Sequence, residues 1–301
     1  MKPGFFSDKS FSVKAVLCIA SVAAGFCVTM LLMMIVLLIS APQEVLAGRM
    51  PELNAGQLRI IQTGQSLFAF IMPALLLAIF FSRKPKEYLY LEQKNNGIIL
   101  FFVIAASIAL IPFINWLAYL NQQLKLPASL HGIEKWMQES ETNAAEIMKI
   151  MLQMDSIPSL LFNIFLIGFL AAVGEELLFR GIIQRLIADA SKNIHLGIWI
   201  SGIIFSAIHL QFYGFLPRML LGVYFGYLLW WSKSLWLPVL AHFANNATAV
   251  ILSYLEQRGV VESDIETVGE SNTLIALISF IIFGIFLFSS YTLIQNKHKN
   301  L

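Results

Sequence analysis

The chain has 301 residues, of which 58% are hydrophobic and only 13% charged. A soluble domain carries about 25% charged residues, so this chain lacks the polar surface to cover a water-facing globule. The net charge of +2 and the lack of any basic block give no footing for a nucleic-acid partner. What remains is an all-α, polytopic membrane protein whose first partner is the lipid bilayer.

Lys2, Lys9 and Lys14 precede an apolar run from Ala15 to Ile39. That run is longer than the 7–15 residues of a signal-peptide core, so it reads as an uncleaved helix. Cys18 and Cys27 both lie in it and are expected to be inert packing rather than a disulfide or a metal clip. A span needs about 20 apolar residues. By that measure the sequence predicts eight helices, at 13–40, 63–82, 97–120, 157–188, 194–211, 215–232, 235–255 and 272–294. There is no internal repeat or low-complexity linker, so residues 1–301 are expected to form a single membrane domain.

The loops set an orientation. Arg83, Lys84, Lys86 and Lys94, then Arg185 and Lys192, then Lys233, and finally Lys297 and Lys299 fall on the same side as the N-terminal lysines if there are eight spans. The other loops carry Glu134, Glu139, Glu141, Glu146 and Asp155, then Glu256, Glu262, Asp264, Glu266 and Glu270. Lys and Arg concentrate on the cytoplasmic side, which predicts both termini in the cytoplasm and the protein in the cell membrane. Trp230, Trp231 and Trp236 cluster at the turn near Lys233, as headgroup-level aromatics do. The only long polar stretch, 121–156, is expected outside the cytoplasm. Its apolar spacing fits an amphipathic helix on the membrane surface, and a solvated loop is the competing reading.

Inside the apolar run 157–188 stand Glu175, Glu176 and Arg180. A charge near the bilayer centre costs at least about 2.5–3.5 kcal/mol, so such groups are functional by default. Glu176 and Arg180 are four apart and share a helix face, where they can pair. Glu175 is rotated by roughly 100° from Glu176 and is less directly neutralised. The pattern predicts one carboxylate held in an ion pair and a second left free for general-base chemistry. Two further polar sites lie in apolar helices: Phe205 with His209, and His242 with Asn246, each pair four apart. From a rise of about 1.5 Å per residue, Glu175 and His209 lie roughly 20 Å from the cytoplasmic ends of their helices, Asn246 near 16 Å and His242 near 10 Å. These groups can therefore meet in one cavity.

A carboxylate and a neutral imidazole can deprotonate a water, while a second imidazole and a carboxamide can donate to an oxyanion. The same acid and histidines, Glu175, His209 and His242, can instead hold zinc, for which Asn is a poor ligand. The spacing leaves both open. The His-Glu-x-x-His, Gly-x-Ser-Gly and Gly-x-Gly-Asp motifs of other membrane and zinc proteases are absent. A proton-coupled transporter using Glu175, His209 and His242 as a relay is a different reading, disfavoured by the lack of repeated halves. A non-catalytic membrane scaffold or immunity protein is another.

Glu175-Glu176-x-x-x-Arg180, Phe205-x-x-x-His209 and His242-x-x-x-Asn246 resemble, in order, the three motifs of the CPBP intramembrane endopeptidases. That family comprises the type II CAAX prenyl endopeptidases and the bacterial bacteriocin-processing and Abi-type proteins. The resemblance covers roughly 157–255, a four-helix catalytic core. It implies a helical fold with a conical cavity open to membrane and cytoplasm, and a membrane-associated protein or peptide as substrate. It also implies that Glu175 and His209 activate water, that His242 and Asn246 form the oxyanion hole, and that Glu176, Arg180 and Phe205 support the site. The expected mechanism uses no cofactor, with zinc as the alternative.

Overall fold

The computed structural model describes residues 4–49, 51–124, 126–261 and 268–299. Lys2, Glu262, Asp264 and Glu266, used above for orientation, lie outside the described residues. The described residues are helical and contain no strand. Five helices are long and apolar enough to cross a bilayer: α1 (Phe11–Ser40), α2 (Ala55–Phe81), α3 (Gly97–Gln122), α5 (Ile157–Ser191) and α9 (Thr273–Lys297). Three more complete the core: α6 (Ile194–Ala207), α7 (Phe215–Ser232) and α8 (Trp236–Gln257). They sit where three of the eight predicted spans were placed, but α6 is short and α7 and α8 are less apolar. Between α3 and α5 runs α4 (His131–Met151), with Ile133, Trp136, Ile147 and Met148 exposed among its polar residues.

α2 and α5 are the enclosed spans, with 50% and 39% of their most apolar windows buried, against 17% for α1 and 22% for α9. The latter two therefore turn most of their surface to lipid. Lipid tails are as apolar as Leu, so helices in a membrane associate through close packing rather than through water exclusion. One packed cluster joins α1, α2 and α5, including Ala74, Leu77, Leu178 and Ile182. A second joins α3, α7, α8 and α9 around Val103, Phe225, Leu228 and Leu237. α5 lies between the halves.

α5 is not uniform. It widens into π-helical turns at Ile164–Leu170 and Phe179–Ile183, on either side of Glu175 and Glu176. α2 does the same at Ser66–Ile71, where a Cβ on Gly174 would meet Phe70 and Ile71 at 3.1 and 3.3 Å. Such turns interrupt the regular i to i−4 ladder and release backbone groups for other partners, often at functional sites.

Two helix ends differ from the sequence-based expectation. α2 begins at Ala55 rather than near 63, because Asn54 and Gln57 form a reciprocal capping box. α6 stops at Ala207 rather than continuing to 211, and Leu210 adopts a positive φ of 54°. The turn before α8 is sunken: Ser232, Ser234 and Leu235 are buried, and Leu235 N donates to Tyr90 O at 3.0 Å.

Candidate active site

The site is built outward from a fully buried ion pair. Arg180 Nη1 donates to Glu176 Oε1 at 2.9 Å, and neither side chain is exposed. The pair is the i, i+4 couple that the spacing predicts. Arg180 Nη2 reaches across to Gly222 O on α7 at 2.9 Å. The guanidinium also faces the rings of Phe205 at 4.7 Å, Phe225 at 5.4 Å and Phe179 at 5.9 Å. An isolated charge there would be prohibitive, and the carboxylate, carbonyl and ring faces together offset its desolvation.

The same Glu176 oxygen fixes His242. His242 Nδ1 lies 2.9 Å from Glu176 Oε1, and the ring stacks on Phe225 at 5.0 Å and 18°. A carboxylate already bound to Arg180 acts as an acceptor, so Nδ1 carries the hydrogen and Nε2 faces the other way. Nε2 points at Glu175, whose Oε2 lies 3.8 Å off. That separation is too long for a direct hydrogen bond and suits one bridging water. Glu175 is partly open, its side chain 14% exposed against 0% for Glu176. The two adjacent acids thus occupy unlike environments.

His209 comes in from the end of α6. Phe205 O has lost its helical partner there, and His209 Nδ1 donates to it at 2.7 Å. A carbonyl only accepts, so Nδ1 holds the hydrogen and Nε2 remains free to accept. The His209 ring meets the Phe205 ring edge-on at 5.1 Å, and Phe205 in turn meets His242 at 5.9 Å. His209 is therefore joined to the acid cluster through Phe205 and not by a direct bond. Asn246 lies one turn beyond His242 on α8. Its Nδ2 donates to Ile167 O, in the first π-helical turn of α5, at 3.2 Å, and its Oδ1 accepts from Asn245 at 3.4 Å. One Nδ2 hydrogen is left for a further acceptor.

Among the described residues, no three His, Cys, Asp or Glu side chains gather closely enough to hold a metal ion. Cys18 and Cys27 are free thiols on α1.

Sequence reasoning missed Arg218, Gly222 and Phe225. Arg218 sits in the first turn of α7, half-buried, and bonds Gln211 through Nη2 to Oε1 at 2.8 Å. Among the described residues no acid lies within ion-pair distance of it, and its charge interacts at longer range with Glu141 as well as with Glu175 and His209. The rule that singled out Glu175, a charge within an apolar helix, points equally to Arg218. Gly222 and Phe225 had no such signal, because their roles are a bare carbonyl and a ring face.

Comparison with known proteins finds relatives for part of the chain. Residues 157–248 match the family described as type II CAAX prenyl endopeptidase Rce1-like. The Rce1-like segment contains Glu175, Glu176, Arg180, Phe205, His209, His242 and Asn246, so the resemblance read from the three motifs holds over that stretch. The chain is 28% identical over 120 residues to a Bacillus subtilis (strain 168) protein named "Uncharacterized protein YpbD", covering 38% of this chain and 57% of that relative. It is 25% identical over 202 residues to "Putative membrane peptidase YdiL" of the same organism, covering 64% of this chain and 75% of that relative. No solved structure matches significantly. An Rce1-like segment within a bundle of apolar helices makes this a membrane protein, and the family points to peptidase activity.

Proposed function

We propose that the protein is an intramembrane endopeptidase of the cell membrane that hydrolyses a peptide bond of a membrane-associated protein or peptide with a glutamate-activated water and no metal. The observation that carries this reading is His242 held between two carboxylates, 2.9 Å from Glu176 and 3.8 Å from Glu175. The two carboxylates and the Arg180 guanidinium sum to one negative charge, so one further proton makes the buried cluster neutral, whether it sits on Glu175 or on His242 Nε2. With it on His242, Nε2 can donate and Glu175 can accept.

The chemistry then runs as general-base hydrolysis. A water between Glu175 and the open Nε2 of His209 loses a proton to Glu175 as its oxygen attacks the peptide carbonyl. The carbonyl oxygen takes up negative charge, which His242 Nε2–H and the free Asn246 Nδ2 hydrogen stabilise. The C–N bond breaks as Glu175 returns the proton to the leaving amine, giving a carboxylic acid and an amine. Glu176 and Arg180 orient His242, as a buried carboxylate orients the imidazole of a catalytic triad.

The test is Glu175→Gln in purified protein reconstituted with a membrane-peptide library. Cleavage is expected to fall by about 100-fold or more, while helical content and melting temperature stay those of the parent. Retained cleavage in Glu175→Gln would overturn the reading. Retained cellular function in Asn246→Ala together with His242→Ala would favour a non-catalytic scaffold instead.

A further inference from the structure

A cavity lies at the other end of α5, away from the acid cluster. It holds about 420 Å³ and is lined by the segment before α1, the first turn of α1, the end of α2, Tyr88 and the end of α5. Four cations converge on it, Lys9, Lys14, Arg185 and Lys192, against one acid, Asp189. Asp189 neutralises little: its carboxylate is 4.0 Å from Arg185 Nε and its side chain is 71% exposed. Among the described residues no acid pairs with Lys9, Lys14 or Lys192.

Positive charge at helix ends is expected from topology alone. Topology does not require the charges to be fixed around a hollow, and here two of them are. The Arg185 guanidinium lies 4.0 Å over the Tyr88 ring, and its Nη1 donates to Tyr88 O at 2.6 Å. Lys14 Nζ donates to Ser7 O at 2.7 Å and faces the Phe81 ring at 5.7 Å. Phe81, Tyr88 and Leu186 are buried and form an apolar floor. Lys9 and Lys192 stand exposed at the rim, Lys192 at a φ of 55° where the chain turns from α5 into α6. The cavity lies at the common end of three apolar helices, which is headgroup level whichever side of the membrane it faces. Its volume is that of a small-ligand site.

We propose that this cavity binds the phosphate of an anionic phospholipid, with the cations on the phosphate and the apolar floor against the glycerol and first acyl carbons. The shared chemistry is a phosphate ester, and the floor favours lipid over a soluble ester. The inference is independent of the peptidase reading, since none of these residues belongs to the acid cluster.

The full chain is purified and placed in vesicles of phosphatidylcholine alone or of phosphatidylcholine and phosphatidylglycerol in equal parts. Melting temperature and the lipid retained in native mass spectrometry are then read. The parent is expected to retain phosphatidylglycerol and to melt higher in the mixed vesicles. Lys9→Gln with Lys192→Asn, Asn being tolerant of the left-handed backbone, is expected to lose roughly twenty-five-fold in phosphatidylglycerol affinity, at about fivefold for each cation. Its melting temperature in phosphatidylcholine should match the parent's. Lys86→Gln, an exposed cation outside the cavity, should retain the lipid. Equal retention by the parent and the double variant, or equal loss in Lys86→Gln, overturns the site. Glycerol 3-phosphate stabilising the detergent-solubilised protein as well as phosphatidylglycerol does would overturn the lipid assignment.

Discussion

Glu176 Oε1 is shared by two donors from different helices, Arg180 Nη1 and His242 Nδ1, each at 2.9 Å. One oxygen therefore ties α5 to α8 and sets the tautomer of His242. Replacing it is expected to do two things that Glu175→Gln does not. Glu176→Gln leaves the Arg180 charge buried without its counter-ion, which typically costs about 3–5 kcal/mol. It also weakens the hold on the His242 ring, because a neutral amide oxygen is a poorer acceptor than a carboxylate. Thermal unfolding in detergent should fall sharply for Glu176→Gln and little for Glu175→Gln, with activity lost in both. Equal stability in the two variants would contradict the assignment of Glu176 to structure and Glu175 to chemistry.

The close approach of α6 and α7 makes a second point of leverage. A Cβ on Gly222 would lie 3.1 Å from Gly202 Cα, 3.2 Å from Arg180 Nη2 and 3.3 Å from the Phe205 ring. Gly222→Val therefore crowds the neighbouring backbone and the guanidinium together. The expected cost is about 1–3 kcal/mol of stability, with loss of the Arg180 bond to the Gly222 carbonyl. A variant as active and as stable as the parent would mean that the guanidinium is free to move, against its enclosure by three rings.

The apolar runs were legible because a span must be about 20 residues of hydrocarbon whatever it packs against. The Glu176–Arg180 pair was legible for the same local reason, a four-residue spacing. Depth was not. Counting from helix ends placed His242 roughly 10 Å shallower than Glu175, yet the two side chains meet. The turn before α8 is sunken, with Ser234 and Leu235 buried, while α5 runs on to Ser191. α8 therefore starts deeper than α5 ends, by a distance that only the packed structure fixes. The π-helical turns left no mark in the sequence either, because one widened turn does not alter an all-apolar pattern. Phe205 and His209 were expected on one helical face. Their rings do touch, but because His209 folds back onto an orphaned carbonyl after the helix has ended.

Arg218 leads to a third prediction. Its guanidinium bonds the Gln211 side chain, is half-buried and interacts at longer range with Glu141 as well as with Glu175 and His209. A cation so placed favours the negative charge that develops during attack on a carbonyl. Arg218→Gln is expected to lower the cleavage rate by about tenfold or more, with a small change in melting temperature. Arg218→Lys should recover part of the rate. If the Gln variant cleaves normally, the charge is a structural support for the 208–214 turn alone.

That turn is held from outside by α4. The Trp136 and Phe212 rings lie 5.0 Å apart and Glu141 Oε2 accepts from Tyr213 N at 3.3 Å, while Asn121, at the end of α3, adds a bond from its Nδ2 to Phe212 O at 2.7 Å. α4 is itself anchored at its far end, where Arg59 Nη2 bonds Met151 O at 3.0 Å and Gln153 O at 2.7 Å. His209 begins the turn and Arg218 follows it, so the position of both depends on a helix that makes no contact with the acids. Removing the two α4 contacts with Trp136→Ala and Glu141→Ala gives up an aromatic pair of about 0.5–1.5 kcal/mol and one backbone hydrogen bond. Hydrogen exchange at residues 208–214 should then quicken severalfold, while exchange across the Glu176–Arg180 turn of α5 stays slow. Cleavage should fall in proportion to the opening of the turn. Faster exchange in α4 with no change at 208–214 would show that α4 rests on the turn without holding it, and activity should then be unaffected.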